Sequence, residues 1–81
     1  MNQLERQVLE VARNHLQSWM DKGNPPGSAR VGSAEIAKEL NSSPGLIYKA
    51  VMLLEQQGRL QLDQQLSRPV HEVAVINHVW D

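Results

Sequence analysis

The chain contains no cysteine among its 81 residues. It therefore has no disulfide bond, no thiolate nucleophile and no zinc site built on cysteine. It also lacks an apolar run long enough to cross a membrane, and its first residues, MNQLERQ, show no secretory signal pattern. These absences predict a cytoplasmic protein that does not use a membrane as a partner.

A surplus of positive charge is missing as well. Eight Lys and Arg residues stand against nine Asp and Glu residues, which gives a net charge of −1 with the histidines neutral. This balance argues against a strong, non-specific attraction to phosphate, although it leaves room for a local basic patch. The length fits one domain, residues 1–81, with one modest core.

Signs of enzyme chemistry are sparse. No glycine-rich loop ends in the Gly-Lys-Ser/Thr of a phosphate-binding loop, and Ser, His and Asp occur without a nucleophile-elbow context. His71, Glu72 and His78 make a poor metal trio, because neighbouring residues of a strand face opposite sides. We therefore predict no enzyme activity, no catalytic residue, no cofactor and no metal.

Residues 33–62 carry the most informative pattern, which is a short helix, a tight turn, a longer helix and a strand. Ser33 is the expected N-cap of the short helix, which ends at Asn41, a residue that tolerates the left-handed conformation. Ser43 and Pro44 then suit the N-cap and first position of the next helix. Two helices joined by so short a turn must cross steeply, as in a helix-turn-helix.

The longer helix is predicted over residues 44–57, with Gly58 as its C-cap. Apolar residues at helical spacing predict its buried face, and these are Ile47, Ala50, Val51 and Leu54. An earlier helix is predicted over residues 3–22, its buried face made by Leu4, Val8, Ala12, Leu16 and Trp19. Between them, residues 23–32 form a loop whose Val31 can add a short strand to the edge of a sheet.

After Gly58 the apolar period changes from helical to alternating. Strands are predicted from Leu60 and over residues 70–76, with a polar loop between them and a short tail over residues 77–81. Trp80 in this tail is expected to pack on the domain. The fold class is thus α+β, mainly α: a winged helix, which is a three-helix bundle with a helix-turn-helix and a two-stranded β wing.

This arrangement favours DNA binding, with residues 44–57 as the recognition helix in the major groove and residues 60–76 as a wing on the backbone. The start of the recognition helix offers hydroxyls and backbone N–H groups, and Lys49 can reach a guanine edge or a phosphate. Arg68 in the wing and Arg30 in the loop are candidate phosphate contacts, or ordinary exposed arginines. The full candidate set is Ser42, Ser43, Gly45, Leu46, Tyr48, Lys49, Arg68 and Arg30.

The chain resembles the winged helix-turn-helix domains of bacterial transcription regulators, in particular the N-terminal domain of LexA-type repressors. The likeness covers roughly residues 4–62 and lies in Arg6-Gln7, Pro25-Pro26, residues 35–40 and Ser43-Pro44. The residue types at Gly45, Tyr48 and Lys49 differ from that family's base-reading pattern, and its self-cleaving domain is absent. The size is also similar to that of small regulators of fimbrial operons. The resemblance implies DNA binding, but neither the SOS operator nor autoproteolysis.

A protein-interaction module is the alternative. Leu46, Met52 and Leu53 are apolar and lie largely outside the buried arc of the recognition helix. Either Leu46 and Leu53 rest against the first helix or the wing base, or the three residues form a dimer seam or a groove for another protein. The expected partners are therefore double-stranded DNA, together with a second copy of the chain or a separate DNA-binding protein.

Overall fold

The computed structural model describes residues 1–80 as three helices and a three-stranded antiparallel sheet. The α+β class with mainly helical content is therefore confirmed. The elements are α1 (Gln3–Asp21), β1 (Val31–Gly32), α2 (Ser33–Glu39), α3 (Pro44–Gln56), β2 (Leu60–Leu62), a short 3₁₀ helix (Pro69–His71) and β3 (Val75–Val79).

The first helix begins with a capping box. The backbone N–H of Glu5 donates to Asn2 Oδ1 at 2.8 Å, and the backbone N–H of Asn2 donates to Glu5 Oε1 at 3.2 Å. The prediction that Trp19 lies on the buried face of α1 is wrong, since 42% of this residue is exposed. Its indole N–H instead donates to Ser28 Oγ at 2.8 Å, which ties the end of α1 to the following loop.

The start of α2 differs from the prediction. Gly32 occupies the N-cap position, and Ser33 is the first helical residue. Ser33 is almost fully buried, and its Oγ accepts the backbone N–H of Ala74 at 3.1 Å while its own N–H donates to Ala74 O at 2.7 Å. The hydroxyl does not cap α2, because it is used to join α2 to the chain just before β3.

The core draws apolar side chains from all three α-helices and all three strands. All four residues predicted for the buried face of α3 are indeed buried, which confirms that face. The sixteen-member cluster consists of Val8, Leu9, Ala12, Leu16, Ala29, Val31, Ile36, Ala37, Ile47, Ala50, Val51, Leu54, Leu60, Leu62, Ala74 and Ile76.

The sheet has the strand order β1-β3-β2, so β3 lies in the centre. Val31 pairs with Ile76, which confirms the short edge strand expected at Val31. On the other side Leu60 pairs with Val79 and Leu62 with Ile76, with an irregularity between Gln61 and Leu62.

The strand predicted over residues 70–76 is wrong in its start, because β3 begins at Val75. Pro69 has no N–H to give to a ladder and opens a 3₁₀ helix instead, after which Glu72 adopts a left-handed conformation. The predicted tail is also wrong over residues 77–79, which continue the strand, while Asp81 lies outside the described residues. Trp80 is only half-buried and packs edge-on against the ring of His78, with centroids 4.0 Å apart.

Candidate nucleic-acid interface

A short turn positions α3 against α2. Asn41 takes a positive φ of 54° as predicted, and the N–H of Ser42 then donates to Ala37 O at 2.9 Å. Together with the bond from the N–H of Asn41 to Lys38 O at 3.2 Å, it closes the end of α2 as a Schellman cap, and only four residues separate α2 from α3. Because the inner faces of both helices belong to the one buried cluster, α2 braces α3 from behind.

The start of α3 is capped as the sequence predicts. Ser43 lies in the extended N-cap position, Pro44 follows as the first helical residue, and Ser43 Oγ accepts the N–H of Leu46 at 3.3 Å. The hydroxyl of Ser42 donates to Leu40 O at 3.4 Å. Both candidate hydroxyls therefore serve the local turn, and each keeps capacity for two further hydrogen bonds.

The outward side of α3 is mixed in character. Lys49 is exposed, and within residues 1–80 its side chain makes no hydrogen bond or ion pair. Leu46 and Leu53 flank it and are 51% and 47% exposed. Tyr48 differs from these three because it is half-buried and packs against the core. An outward-facing cation between two apolar side chains can approach either a nucleic acid or an apolar protein surface.

Arg30 is engaged within the protein. Its Nε donates to Asp63 Oδ2 at 2.6 Å, and one terminal nitrogen donates to Gly27 O and Ala29 O, both at 2.7 Å. These contacts fix the loop before β1 to the start of the chain segment after β2. Arg30 is therefore an exposed loop residue whose guanidinium is used within the protein, and a phosphate contact at Arg30 stays a prediction.

Arg68 is also turned inward on its own loop. One terminal nitrogen donates to Gln65 O and to Ser67 O, the latter at 2.9 Å. Its backbone pairs with Val73 in an isolated bridge. The side chain is exposed, so Arg68 can still present charge to a partner, but its geometry is set by the loop.

Asp63 organises the loop over residues 63–74, which we call the wing loop. Its Oδ1 accepts the N–H groups of Gln65 and Leu66, each at 3.0 Å, and its Oδ2 accepts Arg30. The hydrogen bond from Arg30, followed by that from the N–H of Leu66, lowers the pKa of this carboxyl below its ordinary value. The carboxylate therefore acts as a fixed acceptor at the base of the wing loop.

Two further residues shape the wing loop and were not found from the sequence. Ser67 is buried, and its Oγ accepts the N–H of Val75 at 3.0 Å. Glu72 lies beside the start of α3, since a Cβ built on Gly45 would be 3.8 Å from Glu72 Oε1. A Ser or Glu in a polar loop carries no periodic signal, so only the folded geometry reveals these contacts.

A surface groove of about 470 Å³ lies elsewhere, between α1, α2 and the loop that carries Arg30. In it His15 Nε2 lies 2.6 Å from Glu39 Oε2, and His15 Nδ1 lies 3.9 Å from Glu35 Oε2. Over residues 1–80, no group of three His, Asp or Glu side chains is arranged to hold a metal ion. No helix in the same range is long and apolar enough to span a membrane.

Comparison with protein-family models, with curated proteins and with solved structures returns no match for this chain. Any functional proposal must therefore stand on the residues and geometry described above.

Proposed function

We propose that this chain is a small, sequence-specific DNA-binding regulator of transcription with a winged helix-turn-helix fold. In this proposal α3 lies in the major groove and the wing, residues 60–76, follows the DNA backbone. The observation that carries the proposal is the surface of α3: a capped, braced helix with an unpaired Lys49 on its outer side.

The order of the elements supports the winged-helix part of the proposal. The third helix is followed by β2, the wing loop and β3, and only residues 57–59 separate α3 from β2. The short β1 adds a third strand on the far side of β3. The wing loop lies next to the start of α3, because Glu72 Oε1 is 3.8 Å from the position that a Cβ on Gly45 would take.

The charges limit how strongly one copy holds DNA. Arg30 is bound to Asp63, and Arg68 to carbonyls of its own loop. On the helix pair and just after it, Lys38, Lys49 and Arg59 are exposed and make no side-chain hydrogen bond or ion pair within residues 1–80. With two or three phosphate contacts, log K should fall with log salt at a slope of about −2 to −3 per protomer. Tight binding then requires a second copy or a partner DNA-binding protein.

Lys49→Ala is the direct test. Binding of wild type and variant to random and selected DNA duplexes is measured over a series of salt concentrations. If Lys49 touches phosphate, the variant weakens binding to all sequences alike and the slope falls by about one unit. If it reads guanine, the loss is about 1–3 kcal/mol and confined to sites with that base.

Lys22→Ala is the matched control, because Lys22 is an exposed lysine at the C-cap of α1, on a different helix. Equal losses of DNA affinity for the two variants would show that binding depends only on the net charge of the protein. A Lys49 variant with full-strength binding would remove α3 as the reading helix. Tyr48→Phe is the suitable second variant, because it removes the hydroxyl while keeping the packing of the ring on the core.

A protein-interaction module is the second candidate, and the exposure of Leu46 and Leu53 favours it. Both leucines lie on the same side of α3, seven residues or two helical turns apart. If they form a seam between two copies, Leu53→Glu should dissociate oligomers seen by sedimentation, while wild-type DNA binding at low salt stays undetectable. Clear wild-type binding to duplex DNA with a monomeric chain would instead exclude this candidate as the main function.

A further inference from the structure

The wing loop returns to α3 at Glu72. The carboxylate oxygen Oε1 of Glu72 lies 3.8 Å from the position that a Cβ on Gly45 would take. Gly45 is the second residue of α3, so this acidic side chain lies beside the first turn of the helix. The contact joins two parts of the chain that the sequence gives no reason to pair.

The loop backbone holds Glu72 in place. Glu72 adopts φ 54° and ψ 43°, a left-handed conformation that is costly for a residue other than glycine or asparagine. Its N–H donates to Pro69 O at 3.0 Å, and on either side Arg68 and Val73 exchange backbone hydrogen bonds of 2.7 and 3.0 Å. The four-residue turn over residues 69–72, closed by this pair, thus fixes the direction in which the Glu72 side chain leaves the backbone.

No cation balances this carboxylate. Within residues 1–80, Glu72 forms no ion pair, and the positive end of the α3 dipole is its favourable neighbour. The same end of α3 is the place at which a DNA phosphate would otherwise be attracted. An acidic side chain and a phosphate therefore compete for one region of positive potential.

We propose that Glu72 is a selectivity residue that opposes phosphate binding at the start of α3. It weakens sequence-independent binding, so that contacts to bases must supply a larger share of the affinity. This inference rests on the proposed DNA-binding function and assigns a role in it to a residue of the wing loop. Within residues 1–80, Lys38, Lys49 and Arg59 are the cations on the helix pair and just after it that have no side-chain partner, so one opposing charge removes a large fraction of the attraction between this part of the protein and DNA.

Elementary electrostatics gives the size of the effect. Two unit charges about 4 Å apart in water interact by an energy equivalent to about a fivefold change in affinity. A less polar interface increases this factor, and added salt reduces it because mobile ions screen exposed charges. Removing the charge at Glu72 should therefore tighten binding about fivefold at low salt for a phosphate about 4 Å away, with a smaller gain at high salt.

The test compares wild type, Glu72→Gln and Glu10→Gln on a random DNA duplex across salt concentrations. Glu10 is an exposed acid on α1, so its variant makes the same change in net charge on a different element. We expect Glu72→Gln to tighten binding by the stated factor and to steepen the salt slope by about one unit, with a much smaller change for Glu10→Gln. Tightening in Glu72→Gln when the wild type binds too weakly to measure would support the inference equally.

Two other results would overturn the inference about Glu72. If the wild type binds DNA and Glu72→Gln binds equally well or less well, the inference fails while the proposed function stands; weaker binding would mean that the carboxylate accepts a hydrogen bond from a base. If neither the wild type nor Glu72→Gln binds at any salt concentration, the proposed function fails and the inference falls with it.

A second variant and a second measurement protect the test against misfolding. Glu72→Gly removes the charge and suits the left-handed backbone, so it should tighten binding as Glu72→Gln does. In a proton–nitrogen correlation spectrum without DNA, the amide signal of Gly45 should move in both Glu72 variants and stay in place in Glu10→Gln. An unmoved Gly45 signal in the Glu72 variants would contradict the contact on which the inference depends.

Discussion

The helix pair α2–α3 and the wing loop are held by different kinds of contact. In the helix pair, regularly spaced apolar side chains such as Ile36, Ile47 and Val51 meet in the core. The wing loop is held by single polar contacts to distant parts of the chain, among them Arg30 to Asp63 and Ala74 to Ser33. Apolar packing is distributed over many side chains, whereas each polar contact in the loop depends on two groups.

This difference determines how the two regions respond to substitution. In the helix pair, the cost of a change depends on how much apolar surface the side chain buries. In the wing loop, the cost of a substitution depends on whether a hydrogen-bond donor or acceptor is left without a partner in a place that water cannot reach.

Leu54→Ala should lower the free energy of unfolding by about 2–5 kcal/mol, because Leu54 is fully buried and its removal leaves a cavity. Leu53→Ala is the control, since the same change on the next residue affects a side chain that is 47% exposed and should cost well under half as much. Urea denaturation of both variants gives the comparison. Similar losses would mean that burial does not control stability in the helix pair.

Ser33→Ala should lower the free energy of unfolding by about 1–3 kcal/mol, because the N–H of Ala74 loses its acceptor in a buried place. Ser18→Ala on the exposed side of α1 should stay within about 0.5 kcal/mol of wild type. Hydrogen exchange adds a local measurement, in which the Ala74 amide should lose protection in the Ser33 variant alone. An unchanged Ala74 amide would mean that this serine does not anchor the wing loop.

Replacing Asp63 should change the free energy of unfolding by a smaller amount, and this amount should depend on pH. The pKa of Asp63 is lower in the folded protein than in the unfolded chain because Arg30 and the N–H groups of Leu66 and Gln65 bind the charged form. Its contribution to stability is therefore present above the unfolded pKa of about 4 and is lost as the pH falls through the folded value. Asp63→Asn should be less stable than wild type at neutral pH, with a difference that narrows in acid. A difference that is constant from neutral pH to about pH 2 would contradict this assignment.

Much of the helix pair could be predicted from the sequence, because its signals are local. Asn41 in the left-handed region, the Ser43-Pro44 start and the apolar spacing of α3 each depend on neighbouring residues, and the structure has all three. The capping box of α1 is a local signal of the same kind, because it depends only on the three-residue spacing of Asn2 and Glu5.

The wing loop could not be predicted in the same way. A β-branched segment after Pro69 has the composition of a strand, yet the chain forms a 3₁₀ helix there and begins β3 only at Val75. Nothing local indicates that Arg30 binds Asp63 or that Glu72 reaches Gly45, because a pair of charged or polar residues has no period. The part of the candidate interface that lies on α3 was thus accessible from the sequence, whereas the part in the wing loop needed coordinates.

The central place of β3 in the sheet has a consequence for the order of folding. β1 leads straight into α2, and β2 follows closely after α3, so both ends of the helix pair are joined to one strand that comes late in the chain. The α2–α3 contacts close short loops, while pairing of β1 with β3 must close a long one, which is entropically more costly. The helix pair should therefore form early and β3 dock late. When β3 detaches, both edge strands lose their only partner within residues 1–80 at once, so the sheet opens as one cooperative unit.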